Sequence, residues 1–142
     1  MNNLTIDKIK QLGQNAYDAL QKAVETGDAS DFLNLMHDDV RFFVSFPFEE
    51  WRGEQRGKNR ITELLRFQRD EMRVRIKYEQ VGITANKNTC AVEFRVAGTN
   101  AGGEYRNHLA IFFDFENELV KTWREYTGDV DAKAIAHLAG QK

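Results

Sequence analysis

The sequence predicts an α+β domain, a cone in which a strongly curved and mostly antiparallel sheet wraps around an N-terminal helix. Three observations predict it. Apolar residues recur at helical spacing over Thr5–Thr26, they alternate with polar residues between Thr89 and Thr127, and the element order reads helix, helix, strand, helix, then four strands. At 142 residues the chain suits one domain, 1–142, large enough to bury a core without disulfides or a metal.

In the first helix, Ile9, Leu12, Ala16, Leu20 and Ala23 form the apolar stripe, with Tyr17 and Val24 beside it. Gly27 suits its end, and Asp28 or Ser30 can cap a short second helix, Ala29–Met36. A nearly all-apolar strand, Val40–Phe46, stops at Pro47, because proline cannot donate to a sheet ladder. The polar, glycine-bearing stretch Phe48–Gly57, with Trp51 in it, reads as a loop over the mouth of the cone. Lys58–Glu71 follows as a third helix with Ile61, Leu64, Leu65 and Gln68 inward. Val74, Ile76 and Tyr78 alternate in the next strand. The inward set then shifts to Val81 and Ile83, which calls for a bulge near Glu79-Gln80. Asp131–Leu138 reads as a short helix on a partner or across the pocket.

The last three strands share one face. The Asn100–Gly103 turn places Phe94 near Asn107. The turn Glu116-Asn117-Glu118, with Phe115 paired to Leu119, sets Leu109 opposite Glu125 and Ile111 opposite Trp123. That face carries Val92, Phe94, Val96, Leu109, Ile111, Phe113 and Trp123, with Tyr105, Asn107 and Glu125 as polar exceptions. An apolar wall with a few convergent polar groups suits a small-molecule pocket.

Composition narrows the partners. Lys and Arg number 20 against 22 Asp and Glu, a net charge of −2, so a basic nucleic-acid footprint is missing. The single cysteine, Cys90, falls on the apolar face, reads as a core thiol and suits a reducing compartment. With no apolar run near the ~20 residues of a membrane span and no secretory leader, a soluble cytoplasmic protein is expected. No His/Cys/carboxylate spacing suggests a metal. The Gly98–Gly103 segment precedes a strand, not a helix, and so is no phosphate cradle.

Within the predicted pocket Glu125 stands out. A carboxylate on an apolar face must be hydrogen-bonded or neutral, and burial raises its pKa toward the range of a general acid or base. Asn107 and Tyr105 would then hold a developing oxyanion. In the plainer reading, Glu125 and Asn107 satisfy each other or a nearby backbone group. Tyr17, Phe42, Phe46, Trp51, Phe94 and Trp123 are the aromatic candidates to line the cavity and stack on a flat ligand. On the opposite face Arg95, Arg106, His108, Ala110, Phe112, Thr122, Arg124 and Tyr126 mix Arg and aromatics as interfaces do, which suggests a homodimer.

The Gly27-Asp28 break, Asp38-Asp39-Val40, Gly57 before the third helix, Tyr105-x-Asn107 and Arg124-Glu125-Tyr126 together resemble the nuclear transport factor 2-like superfamily, and within it the SnoaL-like and ketosteroid-isomerase-like proteins. The resemblance spans nearly the whole chain. It implies a conical, cystatin-like α+β barrel, frequent homodimers through the outer sheet face, and no organic cofactor. Ketosteroid isomerase pairs an Asp base with an oxyanion hole of Tyr and a protonated Asp. Here the base's strand, Val40–Phe46, has no carboxylate. The tyrosine's place holds Leu20, with Tyr17 one turn back, and the acid's place falls near Ile111. Epoxide hydrolases of the superfamily use an Arg between two Asp residues, but Arg95 alternates outward. Neither mechanism is written in this chain. The resemblance therefore implies a small, largely apolar or aromatic ligand, a carbonyl or polycyclic compound, and isomerisation, cyclisation or dehydration by another acid–base set. A non-catalytic metabolite binder and a dimeric interaction scaffold stand as alternatives. A cavity filled by Trp51, Trp123 and Phe46 would favour the scaffold.

Overall fold

Thr5 opens the first helix: its Oγ1 accepts the Lys8 N–H at 3.0 Å. In the computed structural model, which describes residues 4–129, helix α1 spans Ile6–Thr26 and stops where Gly27 turns left-handed at φ 82°. Its buried stripe of Ile9, Ala16, Tyr17, Leu20 and Ala23 lies in the sheet's concave face. Contact with the sheet is closest at Gly13, where a Cβ would overlap the Cys90 Sγ.

Helix α2 (Ser30–Asn34) buries Phe32 and leads into β1, Met36–Phe43. The expected strand Val40–Phe46 is displaced toward the N-terminus. Met36 pairs with Val120 of the last strand, which draws His37–Asp39 into the sheet, while Val44–Phe46 leave the ladder before Pro47. The expected loop Phe48–Gly57 contains a 3-10 turn, Glu49–Trp51, and a two-residue edge strand β2, Gln55–Arg56, on β1. Helix α3 is regular only over Lys58–Arg66 and continues as a π turn, Phe67–Glu71, closed by the Met72 N–H on the Phe67 carbonyl at 3.0 Å.

Strands β3 (Arg75–Ala85), β4 (Thr89–Asn100), β5 (Gly103–Glu116) and β6 (Leu119–Thr127) complete a six-stranded sheet of order β2-β1-β6-β5-β4-β3, antiparallel except for β1 beside β6. The β3 bulge sits at Val81, between the Gln80–Phe94 and Gly82–Glu93 pairs. Val81 is the extra residue and faces solvent, whereas Ile83 takes the expected inward phase.

Both C-terminal hairpins pair differently from the sequence expectation, and both keep the expected face. Asn100 pairs with Gly103, which sets Phe94 against Leu109 and Val96 against Asn107. At the last hairpin Asn117 and Glu118 take φ of 51° and 67°, a two-residue turn that pairs Glu116 with Leu119. That turn alone would reverse the phase of β6. The extra residue Lys121, between the Phe115–Val120 and Asp114–Thr122 pairs, restores it, so Val120 and Trp123 both point inward. Glu125 lies opposite Ile111 and Trp123 opposite Phe113, two residues along from the expected pairing. The expected helix over 131–138 lies outside the described residues.

Candidate functional site

Inside the cone, between the concave faces of β3–β6 and the Ser45–Pro47 segment, lies a cavity of about 120 Å³. Its apolar wall includes Met72, Val74, Ile76, Phe94, Val96 and Leu109, and its polar groups come from Glu125, Asn107, Tyr105, Tyr78, Gln68, Ser45 and Thr127. Alternation along the strands delivers these side chains to one face. The segment after β1 supplies Ser45 and Phe46, and the π turn brings in Gln68 and Met72. It ends at Met72, and Arg73, at φ 55°, redirects the chain into β3 while the Val74 N–H bonds the Gln68 carbonyl at 2.9 Å. Gln68 and Met72 thereby reach the cavity.

The polar side of the site is ordered. Asn107, 5 % exposed, donates from Nδ2 to the Tyr105 hydroxyl oxygen at 3.0 Å, and its Oδ1 accepts the His108 N–H at 2.8 Å. Its carbonyl is therefore occupied, and the Tyr105 O–H is left to donate elsewhere. Ser45 Oγ donates to the Glu125 backbone carbonyl at 2.8 Å, tying the segment after β1 to β6.

Glu125 lies deep in the cone with part of its surface on the cavity. Among the described residues no group donates to its carboxylate or pairs with it. Asn107 does not satisfy it: the plainer reading holds for Asn107, whose amide meets the His108 backbone N–H and the Tyr105 hydroxyl, and not for the Glu125 carboxylate. Burial alone pushes the Glu125 carboxyl up to about 7. Burial also raises the Tyr105 hydroxyl, the Asn107 hydrogen bond pulls it partly back, and the Glu125 charge raises it again. Tyr78 is pushed up further, first by burial and then by Glu125. Near neutrality the site thus holds two protonated phenols and one carboxyl poised between its two states. That set can donate a hydrogen bond to a carbonyl and exchange a proton with a neighbouring carbon.

The aromatic candidates divide. Phe46 and Phe94 line the cavity with Glu125, Asn107 and Tyr105. Tyr17 packs behind the wall, its ring 5.2 Å from Phe94 and 6.0 Å from Tyr78, and burial pushes its hydroxyl up to about 12. Phe42 stacks on Trp123 at 4.8 Å and 10° in the closed end of the cone, where Phe32 meets the same indole edge-on. Trp51, expected over the mouth, is 1 % exposed beneath the Arg60 guanidinium, 3.7 Å above its ring, and beside Phe67. These four are core side chains outside the cavity wall: Tyr17 comes from α1, Phe42 from β1, Trp51 from the 3-10 turn and Trp123 from β6. Tyr78 and Gln68 are cavity residues that the site assignment from sequence missed. The inward phase of both was the available signal.

No helix among the described residues is long and apolar enough to cross a membrane, and among them no cluster of three potential metal ligands forms. On the outer face His108 Nε2 lies 2.6 Å from the Glu93 carboxylate, and Arg124 pairs with Asp114 while covering the Phe112 ring.

The fold has close counterparts. An NTF2-like protein from Anabaena variabilis superposes with a TM-score of 0.80 at 27% identity, covering 94% of this chain and 98% of that one. An NTF2-like protein from Burkholderia xenovorans gives 0.69 at 16%, covering 96% and 98%. An LEH-like epoxide hydrolase from M. tuberculosis gives 0.63 at 17%, covering 93% and 92%. No curated protein matches the chain. Residues 17–123 match the family model of the SnoaL-like domain. With its helix-filled cone and this match over most of its length, the chain belongs to the SnoaL-like family of the nuclear transport factor 2-like superfamily.

Proposed function

We propose that the cavity binds a small, largely apolar carbonyl compound and that Glu125 moves a proton on it. One observation carries this reading: a carboxyl with no donor, held near pKa 7 by burial, shares a cavity with a tyrosine hydroxyl already fixed by an asparagine amide. The ionised Glu125 takes a proton from the carbon next to the carbonyl. The C–H pair becomes the new C=C bond, and the carbonyl π pair moves onto oxygen, where the Tyr105 O–H meets it. Return of the proton to the same carbon gives exchange; return to another gives isomerisation. Where the β-carbon carries a hydroxyl, the enolate pair expels it as water with the proton that Glu125 took up, and the outcome is dehydration. No cofactor is required. Phe46 and Phe94 present ring surface to the ligand, and Tyr17, Phe42, Trp51 and Trp123 act behind the wall as packing.

Deuterium wash-in from D2O at the α-carbon of a bound ketone tests the assignment. Glu125→Gln is expected to abolish it, while ketone binding persists. Wash-in unchanged in Glu125→Gln overturns it.

The outer face supports a second proposal, a homodimer. Gly82, Ala91 and Ala110 floor a shallow trough beside Glu93, His108 and the half-exposed Tyr126, a mixed polar and aromatic surface. A reducing cytoplasmic setting fits the lone, fully buried thiol of Cys90.

A further inference from the structure

The cavity's dimensions and charges specify its ligand more narrowly than its polar groups do. About 120 Å³ is slightly less than the ~150 Å³ engineered cavity that takes one benzene. A single six-membered ring therefore fills it. A second fused ring either stands out of the mouth in water or displaces Phe46 or Met72 at the wall, and both are packed in a satellite cluster with Phe67, Phe48 and Val74.

Charge narrows the class again. Among the described residues no Lys, Arg or His lines the cavity, and Glu125 is the one carboxyl that does. An anionic ligand would lose its hydration, find no counter-charge, and face a carboxyl in the same low-dielectric space. Neutralising Glu125 by protonation removes the repulsion but still provides no cation. Described Arg and His residues near this sheet lie on its other side. Arg95 and Arg106 pair with Glu79 and Glu104, and His108 pairs with Glu93, all on the outer face.

Hydrogen-bonding capacity completes the specification. The Asn107 carbonyl is used by the His108 N–H, and the Tyr105 oxygen already accepts from Asn107, so what Tyr105 offers a ligand is one polarised O–H. A ligand thus needs one acceptor oxygen near Tyr105 and Glu125. The side of the ligand that faces Val74, Ile76, Val96 and Leu109 meets no polar partner, so polar atoms there go unpaired, while Gln68, Tyr78, Ser45 and Thr127 edge the cavity elsewhere.

We infer that this cavity selects uncharged monocyclic ketones or aldehydes of about six to nine non-hydrogen atoms and rejects both carboxylates and fused polycyclic compounds. The inference rests on the binding-and-proton-transfer reading of the same site.

The test uses the full chain and three probes: cyclohexanone, cyclohexanecarboxylate and 2-decalone. Binding is read by ligand-observed NMR, and proton transfer by deuterium incorporation into the two ketones. Cyclohexanone is expected to bind at least tenfold more tightly than either other probe. In Glu125→Gln the discrimination against the carboxylate is expected to shrink while that against decalone stays. In Met72→Ala the discrimination against decalone is expected to shrink while that against the carboxylate stays. Decalone or carboxylate binding as tightly as cyclohexanone in the unmutated protein overturns the inference, even where Glu125-dependent exchange is present. Selective cyclohexanone binding without exchange upholds the ligand class and defeats the proton-transfer reading alone.

Discussion

The Asn107 amide and the Tyr105 hydroxyl sit 3.0 Å apart two residues along one strand, on the same face. The amide donates, so the phenol keeps its own hydrogen for a ligand. Tyr105→Phe is expected to slow α-deuterium exchange about a hundredfold, the usual effect of losing one oxyanion donor. Ketone binding should change only a few-fold. Exchange within threefold of the unmutated rate would remove Tyr105 from the chemistry.

Glu125 makes stability depend on pH in an unusual direction. Its native carboxyl titrates at about 7 against an ordinary 4.5, so between those values the native state holds a proton that the unfolded chain has released. Stability therefore falls as pH rises through that window, by up to ~1.4 kcal/mol per unit and roughly 3 kcal/mol in all, because the unfolded chain ionises this carboxyl more readily than the buried site does. Glu125→Gln should flatten this slope and melt higher than the unmutated protein at about pH 8. A slope unchanged by the substitution would show that Glu125 titrates normally.

At the helix–sheet contact, Gly13→Ala places a methyl on the Cys90 sulfur. Overpacking of this kind costs about 1–3 kcal/mol. Cys90→Gly in the same chain should recover much of the loss in a denaturant double-mutant cycle, because it removes the overlapping atoms. Additive losses would place the strain elsewhere.

The Cys90 thiol is fully buried, and burial pushes it up to about 11. Native protein at neutral pH should react with a disulfide reagent only at the rate of its own unfolding. Rapid stoichiometric labelling would show that α1 lifts from the sheet.

The proposed dimer rests on the small floor of the outer trough. Ala110→Arg adds bulk and charge between Glu93 and Tyr126 without touching the cavity. Light scattering should then report twice the chain mass for the unmutated protein and the single mass for the variant. A monomer in both cases would retire the homodimer.

Much of the fold was legible because period-two alternation reports which way a strand faces without needing the pairing partner. The expected hairpin pairings differ from the observed ones by two residues, and an even displacement leaves every side chain on its face. The cluster of Glu125, Asn107 and Tyr105 was readable for the same reason. Depth along the cone was not. Phe42, Trp51 and Trp123 share an inward phase or an apolar surrounding with Phe46 and Phe94, and only the helices packing the narrow end separate wall from core. The π turn was equally hidden, since Phe67–Glu71 carries an ordinary helical pattern and its widening is set by the redirection at Arg73.

The Lys121 bulge works as a parity correction. The tight Asn117-Glu118 turn delivers the final strand out of phase, and one surplus residue puts it back. Single insertions or deletions between Phe115 and Thr122 should therefore be far more damaging than double ones. Dropping Lys121 alone would rotate the indole and carboxylate that follow toward water, even though this residue is itself exposed and remote from the cavity. Homologous chains should change length here two residues at a time, or pair each loss in the turn with a loss of the bulge.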